Sequence, residues 1–209
     1  MLVDGDSFEA KNSTRQQFAS EGLGRNKADC IHDELARTDA GDLRLCFDHE
    51  EEYVTSQNIG ELVGERDVVF LCVDNHATRK LVSDHAASLR DVTLISGGNE
   101  GADDPSEGTC GNVQVYVKEG GEARCNPMTQ FHPEIAEPVD RNPADLSCDE
   151  AAVSGTPQIL FANLAVASAM ANAFYSLAAA GATPFEELYL DIASGKARPT
   201  TRNVINRGG

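Results

Sequence analysis

The chain has 209 residues and a formal net charge of -17, enough length for one domain, or one domain with an extension, around a real core. Such an acidic surface repels phosphate backbones and anionic lipid, so neither nucleic acid nor a membrane is expected as a partner. Six scattered cysteines make no dense disulfide framework, and no basic stretch followed by an apolar run opens the sequence; a reducing, cytoplasmic setting without a secretory leader is expected.

Leu2 and Val3 run into Asp4-Gly5-Asp6, which reads as a strand ending in an acidic turn. A carboxylate at the carboxyl end of such a strand can accept hydrogen bonds from ribose hydroxyls. Asn12, Arg15 and Gln16 follow on a short helical turn, where the Arg15 fork suits phosphate or carboxylate oxygens. Gly22 and Gly24 open a helix near Arg25 and Lys27, so an ammonium and backbone N–H groups share one helix end. Together these features suggest a nucleoside triphosphate site. Singly, each also reads plainly: Asp4 as a turn residue, Arg15 as surface charge, Lys27 as a solvated helix residue.

Ala28, Ile31, Leu35 and Ala36 recur at helical spacing and predict an amphipathic helix over 26–38. Residues 43–47 alternate as a strand, and His49 to Glu52 read as a solvated acidic turn. A short helix over 56–64 precedes Val68–Val73, an unbroken apolar run that suits a parallel strand buried on both faces, Cys72 included. Asp74 and Asn75 sit at its carboxyl tip, the ligand side of an open α/β sheet. A helix over 76–89 carrying Arg79 and a strand over 92–96 ending in Gly97-Gly98-Asn99 continue the rhythm.

Val113, Val115 and Val117 alternate before Glu119-Gly-Gly-Glu122, a hairpin signal, and proline-rich 126–147 reads as a partly mobile crossover loop. Residues 158–182 carry no charge and are long enough to span a bilayer, but Asn163, Asn172 and the dominance of alanine favour a close-packed core helix. A second helix over 184–193 and a basic, polar tail from Lys196 close the chain. Cys110 and Cys125 bracket the hairpin. Cys46-x-x-His49 is isolated, paired C-x-x-C motifs are absent so a structural zinc is not expected, and His76 is the one histidine near the proposed site.

Three stretches carry a family resemblance: D-x-D-x(5)-N-x-x-R-Q with G-x-x-K from Asp4 to Lys27, D-V-V-F-L-C-V-D-N-H-A-T-R over 67–79, and S-C-D-E-A-A-V-S-G-T-P-Q-I-L-F-A-N over 147–163. The chain resembles the ThiF, MoeB and HesA superfamily of activating enzymes, most nearly the bacterial PRTRC-type ThiF proteins. The resemblance implies a Rossmann-like three-layer α/β fold, mostly parallel with an antiparallel hairpin extension. One domain would cover 1–209: a nucleotide-binding part over 1–98, hairpin and crossover loop over 99–150, helices over 151–195 and a tail over 196–209.

The same resemblance implies ATP-dependent adenylation of the C-terminal carboxylate of a small ubiquitin-like, β-grasp sulfur-carrier protein, with magnesium travelling on ATP and a homodimer as the assembly. Asp4 would hold the ribose, Asn12 and Arg15 the phosphates, Lys27 the charged transition-state oxygens and Asp74 the magnesium. Asp6 and Asn75 would support them, and Arg79 would order Asp74 or its helix. Cys148 would take the acyl group as thioester or persulfide, or stand as an unreactive thiol.

The superfamily pattern opens with a strand, a Gly-x-Gly-x-x-Gly loop and a helix that this sequence does not contain. Residues 1–4 and 68–73 must then pair directly or leave a gap. The open readings are a start upstream of Met1, a second chain completing the sheet, or a non-catalytic family member acting as a binding or dimer partner. A dinucleotide-dependent oxidoreductase is compatible with Asp4 but gives Arg15, Lys27 and Asp74 no role.

Overall fold

The computed structural model describes residues 1–14, 16, 20–38, 46–99, 108–147, 158–183 and 185–200. Two sheets form. Strands β1 (Leu2–Val3) and β2 (His49–Glu50) pair in parallel as a small sheet, with Leu2 opposite His49 and Val3 opposite Glu50. Helix α1 (Lys27–Thr38) packs on this pair.

The larger sheet is built on β3 (Val68–Leu71), β4 (Val92–Asn99), β5 (Cys110–Glu119), β6 (Glu122–Ala123), β7 (Glu187–Asp191) and β8 (Lys196–Thr200). Its order is β3-β4-β5-β7-β8 with β6 on β5, and β3–β4 is parallel while the other pairings are antiparallel. β4 and β5 hold the core because their apolar positions have a partner on each face: Leu94, Ile95, Val113, Val115 and Val117 are buried. The hairpin turn is as the sequence predicts, with Gly120 and Gly121 both at positive φ.

The short helix α2 (Ile59–Leu62) and helix α3 (His76–Ser88) cover one face, α3 through Val82 and Ala86. Past the short helix α4 (Pro133–Ala136), helix α5 (Leu160–Ala180) lies across β4 and β5 through Ala162, Val166, Ala169, Met170 and Ala173. Adjacent Gly97 and Gly98 point to opposite faces, as consecutive strand residues do, and meet Met170 of α5 and Arg79 of α3 respectively. The sheet is therefore the middle of three layers, in keeping with the Rossmann-like expectation, but it is mixed and not mostly parallel as expected: only β3–β4 runs parallel, because β5, β7 and β8 join through antiparallel neighbours.

Several expectations change. β3 is an edge strand, not one buried on both faces: Val68 is 44 % and Phe70 45 % exposed. Among the described residues no strand pairs with its outer edge, and β1 pairs with β2 instead. Cys72, expected in the core, is an exposed free thiol on the same edge. His49 and Glu50, read as a turn, form β2, whereas the strand expected over 43–47 falls partly outside the described residues and Cys46 and Phe47 are not in a strand.

The segment predicted as a helix over 184–193 is strand β7, hydrogen-bonded along the free edge of β5, and Lys196–Thr200, predicted as tail, is β8. A free sheet edge offers a row of backbone partners that overrides local helix signals. The chargeless stretch is helical as expected, and α5 is long and apolar enough by length and composition to cross a membrane. It is only half a core helix, however: one face seats on the sheet, while Phe161 and Tyr175 are each 70 % exposed and Leu164 and Phe174 are exposed as well. Phe70 meets Phe174 edge-on at 5.6 Å.

Candidate functional site

The missing β1–β3 contact opens a cleft of about 1780 Å³ between the two sheets. That exceeds the roughly 300–1,000 Å³ of ordinary small-ligand pockets. On one wall stand Asp4, Asp6, Lys27 and Tyr53; on the other Asp74, Asn75, His76 and the tip of β4 at Gly97-Gly98-Asn99.

The acidic turn is tightly built. Asp4 Oδ1 accepts from Asp6 N at 2.9 Å, and Asn26 ties the turn to α1 by donating to Asp4 O at 2.7 Å. Lys27, almost buried, places its Nζ 2.5 Å from Asp6 Oδ2. Burial pushes the Asp4 carboxyl up; the Asp6 N–H and the Lys27 ammonium pull it back, and the Asp6 and Asp74 carboxylates push it up again. The Tyr53 phenol is likewise raised by burial and then by Asp6, Asp4 and Asp74. Carboxylates from two separate strand tips therefore act on one another across the cleft. Oxygen donors of this kind could hold a hard divalent ion such as Mg2+.

Backbone N–H groups contribute less than the sequence suggests. At the start of α1, Lys27 N donates to Asp6 O, and Ala28 N and Asp29 N share Asn26 Oδ1. At α3, Asn75 Oδ1 accepts from Thr78 N at 2.7 Å, making Asn75 the helix cap. Asp140, from the crossover loop, accepts from His76 N at 2.7 Å and Ala77 N at 2.9 Å. Both helix ends carry side-chain caps, so an anionic ligand here relies on side-chain cations.

Arg79 is buried. Its guanidinium donates to Val73 O (2.8 and 3.1 Å), Gly97 O (2.7 Å) and Ser96 Oγ (3.3 Å), locking the tips of β3 and β4 together beneath Asp74. The resemblance implies that it orders Asp74 or its own helix; its hydrogen bonds go to the strand tips instead. A Cβ on Gly98 would stand 2.3 Å from Arg79 Nη2, and four hydrogen bonds keep the guanidinium from yielding. Gly98→Ala is expected to destabilise the fold by about 1–3 kcal/mol, an overpacking cost. Urea denaturation reads it as a lower midpoint at unchanged slope.

Of the predicted site residues, Asp4, Asp6, Lys27, Asp74 and Asn75 line the cleft. Asn12 does not: it is buried, with its Oδ1 accepting from Glu9 N at 2.7 Å, so it braces the loop before α1. Arg15 and Cys148 lie outside the described residues.

Residues the sequence did not single out also face the cleft. Tyr53 is one. Asn99 is another, donating to Asn163 Oδ1 at 2.6 Å and joining β4 to α5. Lys196 and Arg198 reach it from β8; their i, i+2 spacing is a strand signal that a reading as tail passes over. The crossover loop is pinned along the cleft by Asp140, by Asn142 Nδ2 donating to Val54 O at 2.8 Å, and by His132, whose Nε2 lies 2.8 Å from Glu187 Oε1.

Comparison with known proteins agrees with this architecture. A family model described as "ThiF family" matches residues 1–198. The chain is 34% identical over 89 residues to "Adenylyltransferase and sulfurtransferase uba4" from Aspergillus clavatus, a match covering 42% of this chain and 18% of that protein. Among solved structures, E. coli MccB with ATP superposes with a TM-score of 0.65 at 15% identity, covering 100% of this chain and 58% of that one. PaaA gives a TM-score of 0.65 at 16% identity, with 96% and 55% covered. MccB in complex with N-formylated MccA gives 0.66 at 15%, with 98% and 58% covered. The chain thus spans less than a fifth of the curated relative and a little over half of the solved chains.

Proposed function

The chain belongs to the ThiF family, and from that premise we propose that it is an ATP-dependent adenylyltransferase of a small ubiquitin-like carrier protein, working as a cytoplasmic homodimer. The observation that carries this reading is the cleft itself, which faces Asp4, Asp6 and Lys27 of one strand–helix unit towards Asp74 at the tip of another. The relatives supply the chemistry by analogy: uba4 is described as an adenylyltransferase, and MccB has been solved with ATP and with MccA.

In this reading the carrier's terminal carboxylate oxygen attacks the α-phosphorus of ATP, the bond to the β-phosphate oxygen breaks, and pyrophosphate leaves. Catalysis of this kind is chiefly positioning and charge neutralisation. Asp4 accepts the ribose hydroxyls. Lys27 exchanges Asp6 for the phosphoryl oxygens, and Arg15 adds a second cation. Asp74, with Asn75 holding its helix end, would hold the magnesium carried by ATP, which would supply charge to neutralise the phosphates. Asn12 braces the turn that begins at Glu9. Cys148 afterwards attacks the acyl carbon as a thiolate: the C–S bond of a thioester forms, the bond from that carbon to the phosphate oxygen breaks, and AMP leaves.

The exposed apolar face of α5, with Phe161, Leu164 and Tyr175, supports a homodimer. The free thiols Cys30, Cys46, Cys72, Cys110 and Cys125 support a reducing compartment. A second reading, a non-catalytic partner that keeps the fold, is favoured by the unpaired edge of β3 with Val68 and Phe70 exposed. Carrier-dependent exchange of labelled pyrophosphate into ATP separates the two, together with thermal shifts in ATP-Mg against NAD. The adenylyltransferase reading expects exchange and a larger shift with ATP-Mg. Absence of exchange and of any nucleotide shift establishes the second reading instead.

A further inference from the structure

Away from the cleft, on the far side of the small sheet, three Lewis-basic atoms converge. His49 Nε2 of β2 lies 3.8 Å from Asp29 Oδ1 of α1 and 3.7 Å from Glu51 Oε1, just past β2. The three donor atoms all lie within 4.8 Å of one another. These separations are too long for hydrogen bonds, for which N–H···O distances run about 2.7–3.2 Å. They are close to what a shared cation needs: a point equidistant from the three atoms lies at most about 2.4 Å from each, against roughly 2.0–2.2 Å for zinc bonds to imidazole and carboxylate. A contraction of a few tenths of an ångström closes the difference.

The neighbours hold this geometry. Arg25 donates from Nε (3.1 Å) and Nη2 (2.6 Å) to Asp29 Oδ2, which turns Oδ1 towards the histidine, as supporting hydrogen bonds do around metal-binding carboxylates. The His32 ring stacks on the His49 ring, centroids 4.6 Å apart and tilted 37°, and fixes its plane. Sequence inspection sets His49 beside Cys46, but the fold brings Asp29 to it instead.

We propose that Asp29, His49 and Glu51 bind one divalent transition-metal ion of the zinc type, and that this ion ties α1 to β2. Imidazole with two carboxylates suits Zn2+ and its first-row neighbours better than Mg2+ or Ca2+, which prefer oxygen alone. Three protein ligands leave further positions for water. None of the three residues lines the cleft, so the site is separate from the nucleotide chemistry and stands or falls independently of it. Because the ion bridges a helix and a strand twenty residues apart in sequence, it binds the folded chain selectively and stabilises it by mass action.

The test is calorimetric titration and thermal unfolding of the full chain, stripped with chelator, against ZnCl2. One Zn2+ per chain is expected, with the melting temperature raised by about 5–10 °C at a hundredfold excess over Kd. Both effects should disappear in His49→Ala and in Glu51→Gln; the latter changes a half-exposed side chain and leaves the fold undisturbed. The Co2+ form should lack a thiolate-to-metal charge-transfer band. No Zn2+ binding, a shift that survives in both variants, or a thiolate band marking Cys30 or Cys46 as the ligand overturns the proposal.

Discussion

Replacing Asp74 with alanine is expected to lower carrier-dependent pyrophosphate exchange by a factor on the order of 10²–10³, the usual consequence of removing one group that meets charge in the transition state. Asp74 stands at the end of β3, held there by the Arg79 clamp onto Val73 O and Gly97 O. The clamp does not depend on the Asp74 carboxylate, so the melting temperature should stay close to that of the parent chain. A second readout is independent of turnover. Asp74 is one of the charges that push the Asp4 carboxyl up, so Asp74→Ala should lower the Asp4 titration midpoint, observable by carboxyl NMR. Arg15→Ala should match the loss of exchange, whereas Cys148→Ala should leave exchange intact, because a thiol acceptor acts after the adenylate has formed. Parental exchange in Asp74→Ala would falsify the role given to this residue.

Glu187→Ala is expected to have the largest effect on stability, about 3–5 kcal/mol, because it strands a buried charged partner. Glu187 is 1 % exposed, and its Oε1 lies 2.8 Å from His132 Nε2 and accepts from Gln114 Nε2 at 3.2 Å. Glu134 Oε1 meets the other ring nitrogen at 2.9 Å. A carboxylate at each nitrogen favours the charged form of the ring: Glu187 raises His132, burial lowers it, and Glu134 raises it again. Burial on its own would raise Glu187, but His132 and Gln114 outweigh it and bring the carboxyl down to about 2.

The pH dependence follows from those two directions. His132 is raised in the folded chain, so its contribution is complete below its ordinary value of 6.5 and fades as pH climbs through the raised one. Glu187 is lowered, so its contribution is complete above 4.5 and fades as pH falls towards about 2. The difference in melting temperature between parent and Glu187→Ala should therefore be widest between pH 4.5 and 6.5 and narrow in alkali. A pH-independent difference would mean that packing, not charge, holds this pair. The consequence reaches the cleft, because His132 belongs to the crossover loop that Asp140 and Asn142 lay along it. Loosening Glu187 should thus raise amide exchange at His76 and Ala77, whose N–H groups Asp140 covers.

The cleft-lining residues that the sequence rule alone picked out are those at strand tips. Asp4, Asp6, Asp74 and Asn75 were legible because a short apolar run followed at once by Asp or Asn marks a carboxyl end, whatever surrounds it. Lys27 and α1 were legible by periodicity, and the hairpin at Gly120-Gly121 by turn chemistry, since only glycine takes both positive φ angles freely. These are local properties, fixed within a few residues of chain.

Contacts between distant segments were not legible. Glu187-Leu-Tyr-Leu-Asp191 serves equally as a helix turn or a strand, and the free edge of β5 decides for the strand. His49-Glu50 carries no apolar pattern and becomes β2 only because β1 lies beside it. The edge status of β3, the His132–Glu187 pair across 55 residues, the Asp140 cap on α3 and the Asp29–His49–Glu51 cluster all join groups far apart in sequence. Sequence by itself settled which side chains stand at the strand tips, because backbone periodicity and turn sterics act over short range. Only the tertiary structure decided which strand edges meet and which charges face each other, because backbone pairing and desolvated electrostatics depend on neighbours that the order of residues does not name.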